Sequence, residues 1–114
     1  MAGIYIHIPF CKQKCHYCNF YSIVSLKHTK DYITALLKEI YLQKNYLQNE
    51  AVKSIYFGGG TPSVLRTSEI ALILNEIFKI HNVNTNAEIT LEANPDDISL
   101  SKLNDLKKAS INRL

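Results

Sequence analysis

With 114 residues, nearly half of them hydrophobic and a fifth charged, the chain has room for one domain with a modest core and a globular profile. Its net charge of +3 comes from lysines scattered along the sequence, without the aromatic–basic pattern of an RNA-binding sheet, which argues against a nucleic-acid partner. No apolar run approaches the roughly 18 residues of a transmembrane helix. The start, Met1 to Tyr5, has no charged leader or cleavage-like site, so a cytoplasmic location is expected.

In chain order, Gly3 to Ile8 alternates and is rich in isoleucine, and reads as a strand. A segment with three cysteines follows, to about Leu26. Tyr32, Ile33, Leu36, Leu37, Ile40 and Leu47 recur at helical spacing, which predicts a helix from Thr29 to about Gln48. Thr29 or Lys30-Asp31 is placed to start it. Val52 to Phe57 reads as a second strand, stopped by Gly58-Gly59-Gly60. Thr67 or Ser68 is placed to cap a second helix carrying Ile70, Ile73, Leu74, Ile77 and Phe78. Asn82 to Asn86 is turn-like, and Ala87 to Ala93 alternates as a third strand. Ser99 is placed to cap a third helix on Leu100, Leu103 and Leu106. Ile111 to Leu114 reads as a strand just beginning.

Strands alternating with helices imply an α/β fold of right-handed β-α-β units around a parallel sheet. Such a sheet needs both faces covered, and here one edge stays open after the third helix. The expectation is therefore a truncated copy or fragment, unstable alone or assembling with another piece.

Cys11, Cys15 and Cys18 lie within eight residues, and the chain has no fourth cysteine. This makes a poor disulfide framework and a good metal site in a reducing compartment. Cubane iron–sulfur clusters ordinarily take four thiolates, so three would leave one iron open to a small molecule. Lys12 and Lys14 would favour thiolates over thiols. The competing reading is zinc closed by His16. Zinc knuckles, however, usually pair Cys-x2-Cys at two separated places.

Other residues carry weaker signals. Tyr5, taken alone, reads as a packed strand aromatic. Tyr17 has a ring suited to stacking on a purine, and His7 reads as a structural histidine. Gly58-Gly59-Gly60-Thr61-Pro62 is neither a dinucleotide fingerprint nor a Walker A loop. It sits between a strand and a helix, where successive backbone N–H groups could bond a carboxylate or ribose. Glu92 could accept from a ribose diol or an ammonium group, or be a plain exposed acid. Asp96 and Asp97 read as turn and helix-start residues.

The cysteine spacing, the run Ile4 to Cys11, the run Ile55 to Ser63 and the run Glu88 to Asp96 occur in one order across nearly the whole chain. Together they resemble the radical S-adenosylmethionine (radical SAM) superfamily, in its coproporphyrinogen III oxidase-like branch, and within that branch the HemW-type heme chaperones. The resemblance implies about three βα units of a partial (β/α)6 TIM-like barrel. It implies a [4Fe-4S] cluster on Cys11, Cys15 and Cys18, whose open iron chelates S-adenosylmethionine. It also implies ligand contacts from Tyr5, Tyr17, Gly59, Gly60, Thr61 and Glu92, with heme or a porphyrin as cargo and a membrane-bound acceptor protein.

Oxidase members carry a cysteine two residues after the third cluster cysteine. Phe20 stands there in this chain, which favours a heme-handling role over oxidative decarboxylation of coproporphyrinogen III. The oxidase remains the enzymatic alternative, and a small zinc module the third. No catalytic residue is assigned, and none of His7, His16, His28 and His81 is favoured as a heme ligand. Where the family has glycine ahead of Ile/Val-Asn-Arg this chain has Ser110, a departure that puts the turn's backbone geometry in question.

Overall fold

A computed structural model describes residues 2–10, 26–95 and 98–114. The alternation expected from the sequence is present. Strand β1 (Ala2–Ile8) is followed by helix α1 (Leu26–Leu42), β2 (Val52–Gly59), a single 3-10 turn (Pro62–Val64), α2 (Thr67–Ile80), β3 (Val83–Leu91) and α3 (Leu100–Lys108). The three strands are parallel, in the order β1-β2-β3. Tyr5 pairs with Tyr56, and Tyr56 with Thr90. The expected fourth strand begins as a parallel bridge from Thr90 to Arg113. There the Leu91 N–H donates to the Arg113 carbonyl at 3.1 Å, and the Arg113 N–H to the Ile89 carbonyl at 3.1 Å. The Asn112 side chain extends the pairing, accepting from the Ile89 N–H at 2.8 Å and donating to the Ala87 carbonyl at 2.9 Å.

Strand side chains alternate between two faces. Ile6, Ile8, Ile55, Phe57, Ile89 and Leu91 are buried, and they join Ile33 of α1 and Ile70, Ile73, Leu74 and Ile77 of α2 in one core. Each such side chain contributes about 1.5–3 kcal/mol through removal from water. The opposite face carries Tyr5, His7, Tyr56, Glu88 and Glu92, all exposed. A parallel sheet usually has both faces covered. Among the described residues, the face that no helix covers is the polar and aromatic one.

Several local expectations are corrected. α1 begins at Leu26 and ends at Leu42, not at Thr29 and Gln48. After Leu42 the bonds tighten, with Tyr46 N–H reaching the Gln43 carbonyl and Gln48 N–H the Asn45 carbonyl, and Gln48 and Asn49 take positive φ of 51° and 64°. Leu47 still packs on the core, so the apolar period outlasts the helix. The N-cap of α2 is Arg66, with Thr67 the first helical residue. Arg66 lacks a side-chain acceptor; the Glu69 carboxylate instead accepts from its N–H at 2.8 Å. β3 starts at Val83, inside the expected turn, because its first residues run on beside β2 from the Val52–Val83 pair. Phe78, Leu100 and Leu103 were expected in the core and are exposed, whereas Leu106 is buried. α3 ends the described helix layer, so a single stripe of it is covered.

The turn after α3 answers the question raised by Ser110. The Ile111 N–H donates to the Leu106 carbonyl at 3.0 Å and the Ser110 N–H to the Lys107 carbonyl at 3.1 Å, a Schellman closure with Ala109 as C-cap. Buried Leu106 and Ile111 are the apolar pair that accompanies this motif. Serine adopts the left-handed backbone that the closure needs, at φ 81°. That conformation costs an L-residue roughly 1–2 kcal/mol relative to glycine. Ser110→Gly is therefore expected to stabilise the chain by about 1 kcal/mol, read as a rise in unfolding midpoint; an unchanged or lower midpoint would refute the strain.

Candidate ligand site at the carboxyl ends of the strands

Parallel strands bring their carboxyl ends to one edge, where ligands of β/α folds bind. At this edge β1 contributes Tyr5 and His7, β2 contributes Tyr56 and Gly58-Gly59, and the end of β3 leads into Glu92. The Glu92 N–H donates to the Phe57 carbonyl at 3.0 Å, which continues the ladder by one residue.

Glycine at 58 lets two side chains converge. A Cβ there would lie 2.7 Å from Glu92 Oε1 and 2.9 Å from both Cε1 and the hydroxyl of Tyr5. Glu92 Oε1 accepts from the Gly59 N–H at 3.1 Å. The Glu92 carboxylate, followed by burial, raises the Tyr56 pKa above the ordinary tyrosine value. The Tyr5 and Tyr56 rings stack, with centroids 5.9 Å apart and planes 17° apart. The Tyr5 hydroxyl lies 3.3 Å from His7 Nδ1. The His7 ring in turn lies against Gly59, whose φ of 114° belongs to the left-handed region.

The glycine loop also holds the chain that leads into the cysteines. The Gly60 N–H donates to the Ile8 carbonyl at 2.8 Å, and the Thr61 N–H to the Phe10 carbonyl at 2.6 Å. A Cβ on Gly60 would meet Phe10 O at 2.6 Å. From the helix side, Tyr32 of α1 donates its hydroxyl to the His7 carbonyl and sets its ring edge-on to Phe10, with centroids 5.4 Å apart. Burial is the main cause of a raised Tyr32 pKa, followed by the charges of Glu39 and Tyr5. Beyond the loop, Lys102 of α3 donates to the carbonyls of Ser63 and Leu65. The buried Ser63 hydroxyl accepts from the Asn94 N–H at 3.1 Å.

Of the residues singled out from sequence, Tyr5, Gly59 and Glu92 are brought together, and Gly60 and Thr61 adjoin them through Phe10. Cys11, Cys15, Cys18 and Tyr17 lie outside the described residues, as do His16, Phe20, Asp96 and Asp97. Among the described residues no group of three or more His, Cys, Asp or Glu gathers as a metal site.

One chemical expectation changes. The N–H groups of the loop were offered to a carboxylate or ribose, but those of Gly59, Gly60 and Thr61 go to Glu92, Ile8 and Phe10. The loop can instead offer carbonyl oxygens and the Thr61 hydroxyl. Tyr56 was missed. Its signal was the alternation of Ile55-Tyr56-Phe57, which sets it on the face opposite two core residues. Among the described residues, one surface cavity of about 480 Å³ runs along β1 and α1 and includes Tyr5 in its lining, and one of about 720 Å³ lies beside α3 and residues 111–114.

Comparison with known proteins follows the same outline. The sequence profile of the radical SAM superfamily matches residues 5–114. The chain is 44% identical to the heme chaperone HemW of Buchnera aphidicola (subsp. Schizaphis graminum), over 97% of this chain and 30% of that protein. It is 34% identical to the oxygen-independent coproporphyrinogen III oxidase of Salmonella typhimurium, over 98% of this chain and 25% of that protein. Among solved structures it matches the coproporphyrinogen III oxidase of Escherichia coli, a radical SAM enzyme, with a TM-score of 0.85 and 32% identity over 98% of this chain and 26% of that one. The chain thus spans less than a third of the length of these relatives. Among the described residues, no helix is long and apolar enough to cross a membrane.

Proposed function

The chain belongs to the radical SAM superfamily, and from this premise we propose that it holds a [4Fe-4S] cluster on Cys11, Cys15 and Cys18 and binds S-adenosylmethionine beside it. Residues 1–114 would be the N-terminal part of the radical SAM core domain, with 9–20 as the cluster loop. The observation that carries the reading is the clamp at Phe10. Thr61 and Gly60 hold Phe10 and Ile8, so the chain up to Phe10, directly before Cys11, lies against the glycine loop whose Gly59 N–H bonds Glu92.

The donor set suits the group. Thiolates are soft ligands for iron–sulfur clusters, and three of them leave one iron open. When bound, the reduced cluster would supply an electron to the ligand's sulfonium. The chain's own residues bind and orient. Glu92 would accept from a ribose diol or ammonium, Tyr5 would line the ligand, and Tyr17 would stack on the adenine. The loop from Gly59 to Thr61 would contribute carbonyl oxygens and the Thr61 hydroxyl.

At the level of the whole protein we propose a heme chaperone. Similarity to a heme chaperone at 44% identity and Phe20 in place of a further cysteine support this reading. Heme or a porphyrin would be the cargo and a membrane-associated protein the acceptor, with the thiolates kept reduced in the cytoplasm. Similarity to coproporphyrinogen III oxidases supports the second reading, an enzyme that decarboxylates coproporphyrinogen III.

The test is anaerobic reconstitution with iron and sulfide, followed by low-temperature EPR. A [4Fe-4S]+ signal that changes on adding S-adenosylmethionine is expected. A signal indifferent to it would refute the open iron. Incubation with coproporphyrinogen III under the same conditions separates the two readings, because vinyl product would overturn the chaperone.

A further inference from the structure

We infer that Tyr32 is a positioning residue of the cluster site, its hydroxyl tying the end of β1 to α1 and so joining the two ends of the cysteine segment. This rests on the proposal that Cys11, Cys15 and Cys18 hold a [4Fe-4S] cluster.

Among the described residues β1 lies at the edge of the sheet, with β2 on one side only. An edge strand leaves part of its backbone without a strand partner. The residues just before Cys11 are nevertheless secured at three carbonyls. That of Ile8 accepts from the Gly60 N–H at 2.8 Å, and that of Phe10 from the Thr61 N–H at 2.6 Å. That of His7 accepts from the Tyr32 hydroxyl, on a different element from the other two donors. The Tyr32 ring also meets the Phe10 ring edge-on, with centroids 5.4 Å apart and planes at 90°. Phe10 is buried, so this contact belongs to the packed part of the chain.

The place of Tyr32 in the sequence gives these contacts their consequence. All three cysteines fall between Phe10 and Leu26, the first residue of α1. Tyr32 lies in the second turn of that helix and touches the strand on the far side of the segment. It therefore links the entry of the cysteine segment to its exit. Bringing the ends of a segment together costs chain entropy, and a contact that does so beforehand removes that cost from ligand assembly. The hydroxyl is not needed for packing. His7 is exposed, so water can replace the phenol at its carbonyl, and a phenylalanine at 32 keeps the ring on Phe10. Tyr32→Phe thus isolates the inferred role.

The experiment reconstitutes the parent, Tyr32→Phe, Tyr32→Leu and Ile73→Val anaerobically with iron and sulfide. It follows the release of iron to a ferrous chelator, beside the unfolding midpoint of each cluster-free protein. Tyr32→Phe is expected to release iron about five- to tenfold faster than the parent, the weight of one hydrogen bond, with a midpoint close to the parent's. Tyr32→Leu also loses the edge contact and should release it faster still. Ile73→Val removes a methyl group from the fully buried core on α2, so its midpoint falls while its iron stays as in the parent. If Tyr32→Phe releases iron at the parent's rate, the positioning role is overturned and the cluster stands. If Ile73→Val releases iron as fast as Tyr32→Phe, or Tyr32→Phe melts well below Ile73→Val, release follows stability and the role is overturned again. A parent that takes up no iron and sulfide overturns the cluster proposal and the inference with it.

Discussion

Gly60→Ala is expected to lower the unfolding free energy by about 1–3 kcal/mol and to leave the reconstituted protein with well under half of the parent's iron and sulfide. The added Cβ would sit 2.6 Å from the Phe10 carbonyl oxygen, 3.0 Å from its carbon and 3.1 Å from its nitrogen. These are backbone atoms, so no rotamer change relieves the overlap. Either the glycine loop or the strand exit must move. Moving the loop breaks the bonds from Gly60 to Ile8 and from Thr61 to Phe10. Moving the exit also disturbs the Tyr32 contacts at His7 and Phe10. Cys11 follows Phe10 directly, so the cost of the methyl group falls on the entry to the cysteine segment, the proposed cluster loop. Gly59→Ala is a useful comparison. Its Cβ would meet the movable His7 ring at 2.7 Å but also the Ile8 carbonyl at 2.9 Å, at a φ that L-residues rarely adopt. A Gly60→Ala protein that melts with the parent and takes up full iron would remove the clamp from the argument.

Replacing any one of Cys11, Cys15 and Cys18 by serine is expected to abolish the brown absorbance and the EPR signal of the reconstituted protein. These three cysteines are the whole thiol complement of the chain, so no other thiol can take a lost one's place. A hydroxyl is a harder and much less acidic ligand than a thiol. The control is His16→Ala. If the segment holds a cluster, that change leaves iron and sulfide in place. If it holds zinc through three cysteines and a histidine, it removes the fourth ligand and the metal with it. Elemental analysis of the two variants therefore separates the chemistries, and zinc with little iron in the parent would end the cluster proposal. Unfolding midpoints of the same variants show whether a lost chromophore reflects lost ligation or lost fold.

The architecture was legible because period carries it. Alternation in Gly3 to Ile8 and in Ala87 to Ala93, together with the helical stripe of Ile70, Ile73, Leu74 and Ile77, predicted β-α-β order around a parallel sheet, and that order is present. Ser99 caps α3 as expected, its hydroxyl accepting from the Lys102 N–H at 3.0 Å. Boundaries were less legible. An apolar period does not say where backbone bonding stops, so Leu47 kept its place in the pattern after α1 had ended. Leu100 and Leu103 failed for a different reason, because a helix at the edge of a layer has fewer neighbours than its sequence provides for.

The sequence alone determined which residue types are available and which face of its own element each occupies: three cysteines on one segment, tyrosines opposite core residues, an acid near the end of the third strand. Which of them meet was decided by tertiary structure. Strand register sets Tyr56 between Tyr5 and Thr90, and the path of the glycine loop commits its N–H groups to Glu92, Ile8 and Phe10. Such pairings depend on relative shifts between segments dozens of residues apart. A one-residue slip would exchange every partner and leave each local pattern unchanged.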